Sequence, residues 1–318
     1  MTRKNEGRQD KKDLDIPNRI HARPFPRPGV WIAAIIVGIL AAMLIHGVVT
    51  NPNFQWKVVW LYLFNEHVLT GVGWTLLLTV GSFAIATVLS VILAIMRQSQ
   101  NLVLRGVSWF FIWFFRGTPV YTQLVFWGLI AVLVPKISLG IPFGPSFVSL
   151  STQDIFTAGV AALVGLALNE GAYLSEIVRA GLESVDPGQR EASQALGMSR
   201  GQIMRRIVLP QAMRIIVPPM SNEAIGLLKT TSLVLAVPFT MELQFVTNSI
   251  ANRIYKPIPL LLVAAIWYLV ITSILMVGQT YLERYFGRGF DGKTSAAAPV
   301  EDGQAGKANR ARNLGLNA

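Results

Sequence analysis

The chain has 318 residues, of which 52% are hydrophobic and only 14% are Asp, Glu, Lys or Arg, against roughly 25% charged residues in an average soluble protein. That balance excludes a soluble globular enzyme and a disordered chain. The absence of cysteine excludes disulfide scaffolds, thiolate nucleophiles and Cys-ligated metal, and three scattered histidines (His21, His46, His67) argue against a histidine-ligated metal site.

In chain order, residues 1–29 carry eight Lys or Arg together with Pro17, Pro24, Pro26 and Pro28, the composition of a disordered basic tail. The apolar run at 30–49 is long enough to cross a bilayer. It exceeds the 7 to 15 apolar residues of a signal peptide and no small-x-small cleavage site follows, so it reads as an uncleaved anchor. A loop at 50–67 leads to further spans at 71–96, 106–134, 156–181, 213–238 and 258–282, and a polar tail closes the chain at 287–318. The expected fold is therefore all-α and integral to the membrane, with six transmembrane helices and both termini on one side. Of the 28 Lys and Arg residues, 21 lie on that side, four on the other and three inside spans, which places the termini in the cytoplasm by the positive-inside rule. The net charge of +11 is then an orientation signal and not a nucleic-acid footprint. No internal repeat is evident, which disfavours the secondary-transporter folds built from repeated halves.

Charged groups inside a span cost about 2.5 to 3.5 kcal/mol on insertion scales, so they mark a cavity or a partner. In the third span, Arg105 to Val134 would make a helix of about 45 Å, half as long again as the hydrocarbon core. Val107 to Phe115, with Trp109 and Trp113, is then expected to lie in the interface before Gly117 and Pro119 bend the chain inward. Arg116 becomes a structural anchor on the cytoplasmic side, or alternatively the holder of a substrate carboxylate. The fourth span offers Asn169, Glu170, Tyr173 and Glu176, and Glu170 and Tyr173 share a face. Glu170 suits either a cationic substrate group or an arginine of a neighbouring span. The fifth carries Pro218-Pro219, expected to break the helix, followed by Asn222, Glu223, Lys229, Thr230 and Thr231. Glu223 and Lys229 lie about 240° apart around a helix and should not pair with each other.

Between the fourth and fifth spans, Asp186, Pro187 and Gln189 make a helix start in which Asp186 accepts from the amide of Gln189, and Gly197 suits the helix end. Ser199 with Gln202 three residues on makes a second start, and that helix should run until Pro210 breaks it. The first helix, with a slim stripe of Ala192, Ala195 and Leu196, is the kind of exposed element that docks into a partner's groove. Gly287, Gly292, Lys293 and Thr294 fit the phosphate-loop spacing but have a membrane span before them and Pro299 after, without the strand-to-helix context that such a loop needs.

The residues here resemble a known family. Glu191-Ala192-Ser193, Gly197 four positions on, and Ile207-Val208-Leu209-Pro210 look like the EAA loop of ABC-transporter permeases. Phe115-Arg116-Gly117-Thr118-Pro119, Ala172-Tyr173, Glu176-Ile177, Pro187-Gly188-Gln189, Ala195-Leu196-Gly197, Leu209-Pro210-Gln211-Ala212, Arg214 and Lys229-Thr230-Thr231-Ser232-Leu233 resemble the branch that takes up polar amino acids. The resemblance covers residues 68–286, with Ser193 standing where the motif usually has its second alanine and with the span at 30–49 additional to the usual five.

The resemblance implies a permease domain at 68–286 whose EAA loop, at about 183–211, couples to a separate ATPase. Arg190, Glu191, Ala192, Ser193, Gly197 and Arg200 are the expected ATPase-coupling residues. Thr118, Gln123, Asn169, Glu170, Tyr173, Asn222, Glu223, Lys229 and Thr231 are expected along the substrate path. It also implies a second permease subunit, identical or a sister chain, an extracytoplasmic amino-acid-binding protein, and a place in the lipid of the bacterial cytoplasmic membrane. No cofactor is expected in this chain, ATP and Mg being bound by the partner. An ion-driven secondary transporter is the alternative, since Glu170 and Glu223 would also serve as proton or sodium sites; a membrane-embedded enzyme lacks a nucleophile and base.

Overall fold

The computed structural model describes residues 28–141 and 146–287. The basic tail before Pro28, the tail after Gly287 and, with it, Gly292, Lys293 and Thr294 of the phosphate-loop look-alike lie outside the described residues. The chain divides into two compact units, one ending at Phe54 and one beginning at Gln55. The first contains α1 (Pro28–Thr50), an unbroken apolar helix, and a 3₁₀ turn at Pro52–Phe54.

The second unit starts with α2 (Trp56–Leu63), which occupies part of the stretch read as a loop, and α3 (Glu66–Arg97). There follow α4 (Leu102–Gly117), α5 (Val120–Gly128) and the single turn α6 (Ile130–Leu133). A hairpin of β1 (Lys136–Gly140) and β2 (Ser146–Ser151), antiparallel with Lys136 opposite Ser151 and Ser138 opposite Ser149, leads to α7 (Thr152–Ile155) and α8 (Ala158–Glu183). Next come α9 (Pro187–Ala195) and α10 (Arg200–Ile203), then α11 (Leu209–Thr230), α12 (Leu243–Ile254) and α13 (Pro257–Gly287).

Four helices are long and apolar enough to cross a membrane unaided: α1, α3, α8 and α13. The third and fifth expected spans are each built from shorter pieces. The third is α4 and α5, separated by Thr118 and Pro119, both in extended conformation. The stretch read as the fifth, 213–238, holds most of α11 and a 3₁₀ segment at Thr231–Ala236, with α12 following beyond it. Pro218 and Pro219 do not break α11, contrary to the sequence expectation. Their fixed φ suits a helix, and the carbonyls they leave free belong to Arg214 and Ile215, on an exposed stretch. Pro210 is likewise absorbed. A π-helical turn at Met204–Val208 shifts the register so that the Leu209 amide reaches back to Met204, and the helix continues through the proline at the first turn of α11.

At the centre, α3 packs along α8. The buried residues of α3 include the small or hydroxylated Thr79, Ser82, Ala86 and Ser90 among larger aliphatics such as Leu78 and Leu93, and those of α8 include Ala161, Ala162, Gly165, Ala167, Gly171 and Ala172. Small side chains let backbones approach, which substitutes for a hydrophobic drive in lipid. Ser82 Oγ crosses between them to donate to the Leu163 carbonyl at 3.2 Å. The outward faces carry exposed Leu77, Val80, Val88 and Ile95 on α3 and Leu261, Leu269 and Ile274 on α13, surfaces that only lipid or another apolar partner would cover.

A tight contact joins α8 to α11. A Cβ on Gly181 would lie 2.2 Å from Ile216 Cγ1 and 3.4 Å from the Ala212 carbonyl. Gly181→Leu should therefore force the two helices apart, at a cost of about 1–3 kcal/mol or more. A thermal-stability measurement in detergent should show a clearly lowered midpoint, and an unchanged midpoint would mean that this contact is not made.

Candidate functional site

The break between α4 and α5 is held open by two amide side chains. Gln123 Nε2 donates to the Phe115 carbonyl at 2.9 Å, the Thr118 carbonyl at 3.1 Å and Thr118 Oγ1 at 2.8 Å. From α8, Asn169 Nδ2 donates to the same Phe115 carbonyl and to Gln123 Oε1, both at 3.1 Å. Carbonyls released by a broken helix must find donors at membrane depth, and these two amides supply them. The first turn of α5 is left with its amides pointing away from the helix, the positive end of its dipole.

Beside this break is a cavity of about 450 Å³, lined by Arg116, Gly117, Thr118, Pro119 and Val120, by Asn169, Glu170 and Tyr173 of α8, and by Glu223, Gly226 and Thr230 of α11. Its volume falls in the range of small-ligand sites. Asn169, Glu170 and Tyr173 come from the middle of the 26-residue α8, so the cavity lies mid-bundle. Arg116 is at its wall, with the guanidinium carbon 5.1 Å from the centre of the Tyr173 ring, a cation–π contact. Arg116 sits on the last turn of α4, which brings its charge to the cavity wall. Glu170 is 6% exposed and its Oε1 is buried without a hydrogen-bond partner. Among the described residues it makes no ion pair; the pairs that occur are those of Arg179 with Glu176 at 2.7 Å and Glu183 at 2.6 Å. Glu176 is accordingly taken up within α8.

Of the substrate-path residues expected from sequence, Thr118, Asn169, Glu170, Tyr173 and Glu223 line the cavity. Gln123 is buried behind it as the support just described. Asn222 and Lys229 are exposed at the margin of the α11 face that bears Glu223, Gly226 and Thr230, and do not line the cavity. Thr231 is fully buried, its hydroxyl donating to the Leu228 carbonyl at 2.7 Å. Arg116 lines the cavity as well, in keeping with the alternative reading of it as the holder of a carboxylate, and so do Gly226 and Thr230, for which the i+3 and i+7 spacing from Glu223 is the signal in the sequence. A second hollow of about 380 Å³, lined by Met213, Val217, Met220, Leu275 and Leu282 among others, is nearly all apolar and offers little to a polar solute.

In the loop between α8 and α11, Asp186 caps α9 by accepting from the Gly188 amide at 2.7 Å, one residue earlier than expected, while its backbone carbonyl takes the Gln189 amide. Ser199 and Gln202 form the expected capping box. Gly197 ends α9 in the left-handed region at φ 76°. Ser193 is buried, its Oγ donating to the Gln189 carbonyl at 2.6 Å, and Arg190 folds back to donate to the Leu182 carbonyl at 2.7 Å. The Arg190 bond holds α9 to the end of α8, whereas that of Ser193 lies within α9 itself. Glu191, Ala192, Gly197 and Arg200 face outward, and Leu196 between them is 83% exposed.

Comparison with known proteins gives a consistent answer. The family described as "binding-protein-dependent transport system inner membrane component" matches residues 86–288. The chain belongs to this family. The chain is 48% identical over 274 residues to the arginine transport system permease protein ArgU of Corynebacterium glutamicum, covering 86% of this chain and 85% of that one. It is 35% identical to the histidine/lysine/arginine/ornithine transport system permease protein HisM of Salmonella typhimurium, over 65% and 84% of the two chains. Among solved structures, an amino acid ABC transporter crystallised with histidines aligns at a TM-score of 0.58 and 31% identity, over 73% of this chain and 98% of the other. The protein is thus a multi-pass permease component of the inner membrane, with an ATPase and a binding protein as its working partners. An ion-driven transporter finds no support in these likenesses.

Proposed function

We propose that the chain is the membrane-spanning permease of an ATP-driven importer for a cationic amino acid. The observation that carries this reading is the mid-bundle cavity bounded by one guanidinium and two carboxyl groups, Arg116 against Glu170 and Glu223. A cationic amino acid presents one carboxylate and two cationic groups. Arg116 and the amide-rich first turn of α5 suit the carboxylate, and Glu170 and Glu223 suit the ammonium and the side-chain cation. Relatives named for arginine and for histidine, lysine, arginine and ornithine transport support the same class.

In this reading the chain crosses the membrane six times with both termini cytoplasmic, by the charge asymmetry of the loops. Glu191, Ala192, Gly197 and Arg200, with Leu196 as the apolar knob, contact the ATPase, while Arg190 holds α9 to α8 for it and Ser193 is buried on the inner side of α9. ATP and Mg belong to that partner. A second permease subunit, identical or a sister chain, completes the path, and lipid covers the exposed faces of α3 and α13. Purifying the chain in mild detergent from its own host and identifying its companions by mass spectrometry tests the assembly. An ATPase bearing a true phosphate loop should accompany it and be lost on Glu191→Arg; a chain that purifies alone and transports in ATP-free vesicles under an ion gradient would overturn the reading.

A further inference from the structure

A second polar cluster lies where the fifth crossing is broken, and the cavity does not use it. α11 ends at Thr230, a 3₁₀ segment follows to Ala236, and α12 begins only at Leu243. Glu242, at the start of α12, is fully buried. Its Oε2 accepts from the Gln244 amide at 2.7 Å and so caps α12. Its Oε1 accepts from Thr75 Oγ1 of α3 at 2.9 Å and from the Tyr268 hydroxyl of α13, with Thr231 Oγ1 of the 3₁₀ segment at 3.5 Å. The Thr75 hydroxyl in turn accepts from the Leu243 amide at 3.3 Å. One carboxyl group therefore fastens the broken end of the fifth crossing to two long helices that do not line the cavity.

A helix cap alone does not explain this residue. Ser, Thr, Asn or Asp would cap α12 at a lower cost of burial, and Glu242 makes no ion pair among the described residues to offset its own. What the longer side chain adds is reach to α3 and α13. The consequence lies in α11, which is held differently at its two ends. At one end it continues helically from the EAA loop, where Val185, Ile203, Val208, Ala212 and Ile216 share one apolar core. At the other, the fully buried Thr231 gives its hydroxyl proton to the Leu228 carbonyl at 2.7 Å and rests 3.5 Å from Glu242 Oε1, packed against the carboxyl group that joins α12 to α3 and α13. The cavity residues Glu223, Gly226 and Thr230 lie about 12, 7.5 and 1.5 Å along the helix from Thr231.

We propose that Glu242 is a positioning residue for transport: it makes the Thr231 end of α11 the fixed point about which the EAA loop swings the rest of the helix. Displacement of the loop then reaches Glu223 and Gly226 and is not dissipated at the break. This rests on the importer reading above. The test uses the intact transporter in lipid vesicles with its ATPase and binding protein, and records amino-acid uptake and ATP hydrolysis together. Tyr268→Phe and Thr75→Val each remove one donor, and Glu242→Gln keeps the size while exchanging one acceptor for a donor. Each should raise the ATP hydrolysed per amino acid imported by at least about fivefold, as expected for one lost hydrogen bond to a carboxylate, while the half-saturating concentration of loaded binding protein stays unchanged. A wild-type ratio in all three variants would overturn the inference. So would a lower amount of assembled transporter whose uptake and hydrolysis per complex are normal, because Glu242 would then serve only the fold. Wild-type vesicles run in parallel keep the two ideas apart: no ATP-driven uptake there sinks the importer reading and this inference with it.

Discussion

Gly197→Asp and Glu191→Arg should each lower uptake by at least about a hundredfold, or about 2.7 kcal/mol of coupling, while the protein still reaches the membrane in normal amount. The two act by different routes. Gly197 sits at φ 76° between α9 and the capped start of α10, a left-handed conformation that disfavours residues with a Cβ, Asp less than most, and a carboxylate placed there also opposes the negative end of the α9 dipole. Nothing lies within 4 Å of the position a Cβ would take there, so the cost is conformational and electrostatic: the turn re-forms and Leu196, the exposed knob of the loop, points elsewhere. Glu191 keeps its backbone but reverses the charge on the outward face of α9. A hydrogen bond to a charged group contributes about 1.5–3 kcal/mol, and a reversal replaces attraction by repulsion. Uptake of labelled amino acid into whole cells, normalised to permease in the membrane fraction, measures both. Normal uptake in both variants would remove this loop from any coupling role.

The long apolar helices were readable because their lengths alone distinguish them: 30–49, 71–96 and 258–282 fall within helices that the structure extends by a few residues, and 156–181 matches α8 to within two residues at each end. The broken crossings were not. Pro218-Pro219 looked like the interruption of the fifth, yet proline inside a helix removes donors without forbidding its φ, and the carbonyls it frees lie along an exposed stretch. The true break at 231–242 carries no proline until Pro238, and depends on Glu242 meeting Thr75 and Tyr268, residues 167 and 26 positions away. No local pattern encodes a contact of that range. The same limit applies to the site. The shared face of Glu170 and Tyr173 follows from helical period, whereas the approach of Arg116 to Tyr173 needs α4 folded against α8. The hairpin at 136–151 was also unread, since its Ser, Gly and Pro content matches a loop as well as a short strand pair.

Glu170→Gln and Glu223→Gln should each reduce uptake of arginine or lysine by about 10- to 100-fold, the loss of one charge-assisted hydrogen bond, with a smaller effect on any neutral amino acid the system carries. The asymmetry follows from the cavity's composition. With Arg116 given to the substrate carboxylate, the remaining two carboxyl groups each face one cationic group, and a neutral substrate leaves one of them unmatched in the wild type already. Removing that unmatched charge therefore costs a neutral solute little and narrows the preference for cations. The two variants need not be equivalent: Glu170 is nearly inaccessible, with one oxygen lacking any partner, whereas Glu223 is only partly buried and has water to replace what it loses. The larger loss is expected at Glu170. Competition of labelled arginine by unlabelled lysine and by glutamine, measured with binding protein in excess so that its own selectivity does not limit uptake, separates the cavity's preference from that of the binding protein. If both variants keep wild-type uptake and the same order of competitors, neither carboxyl group faces the substrate, and selection rests entirely outside this chain.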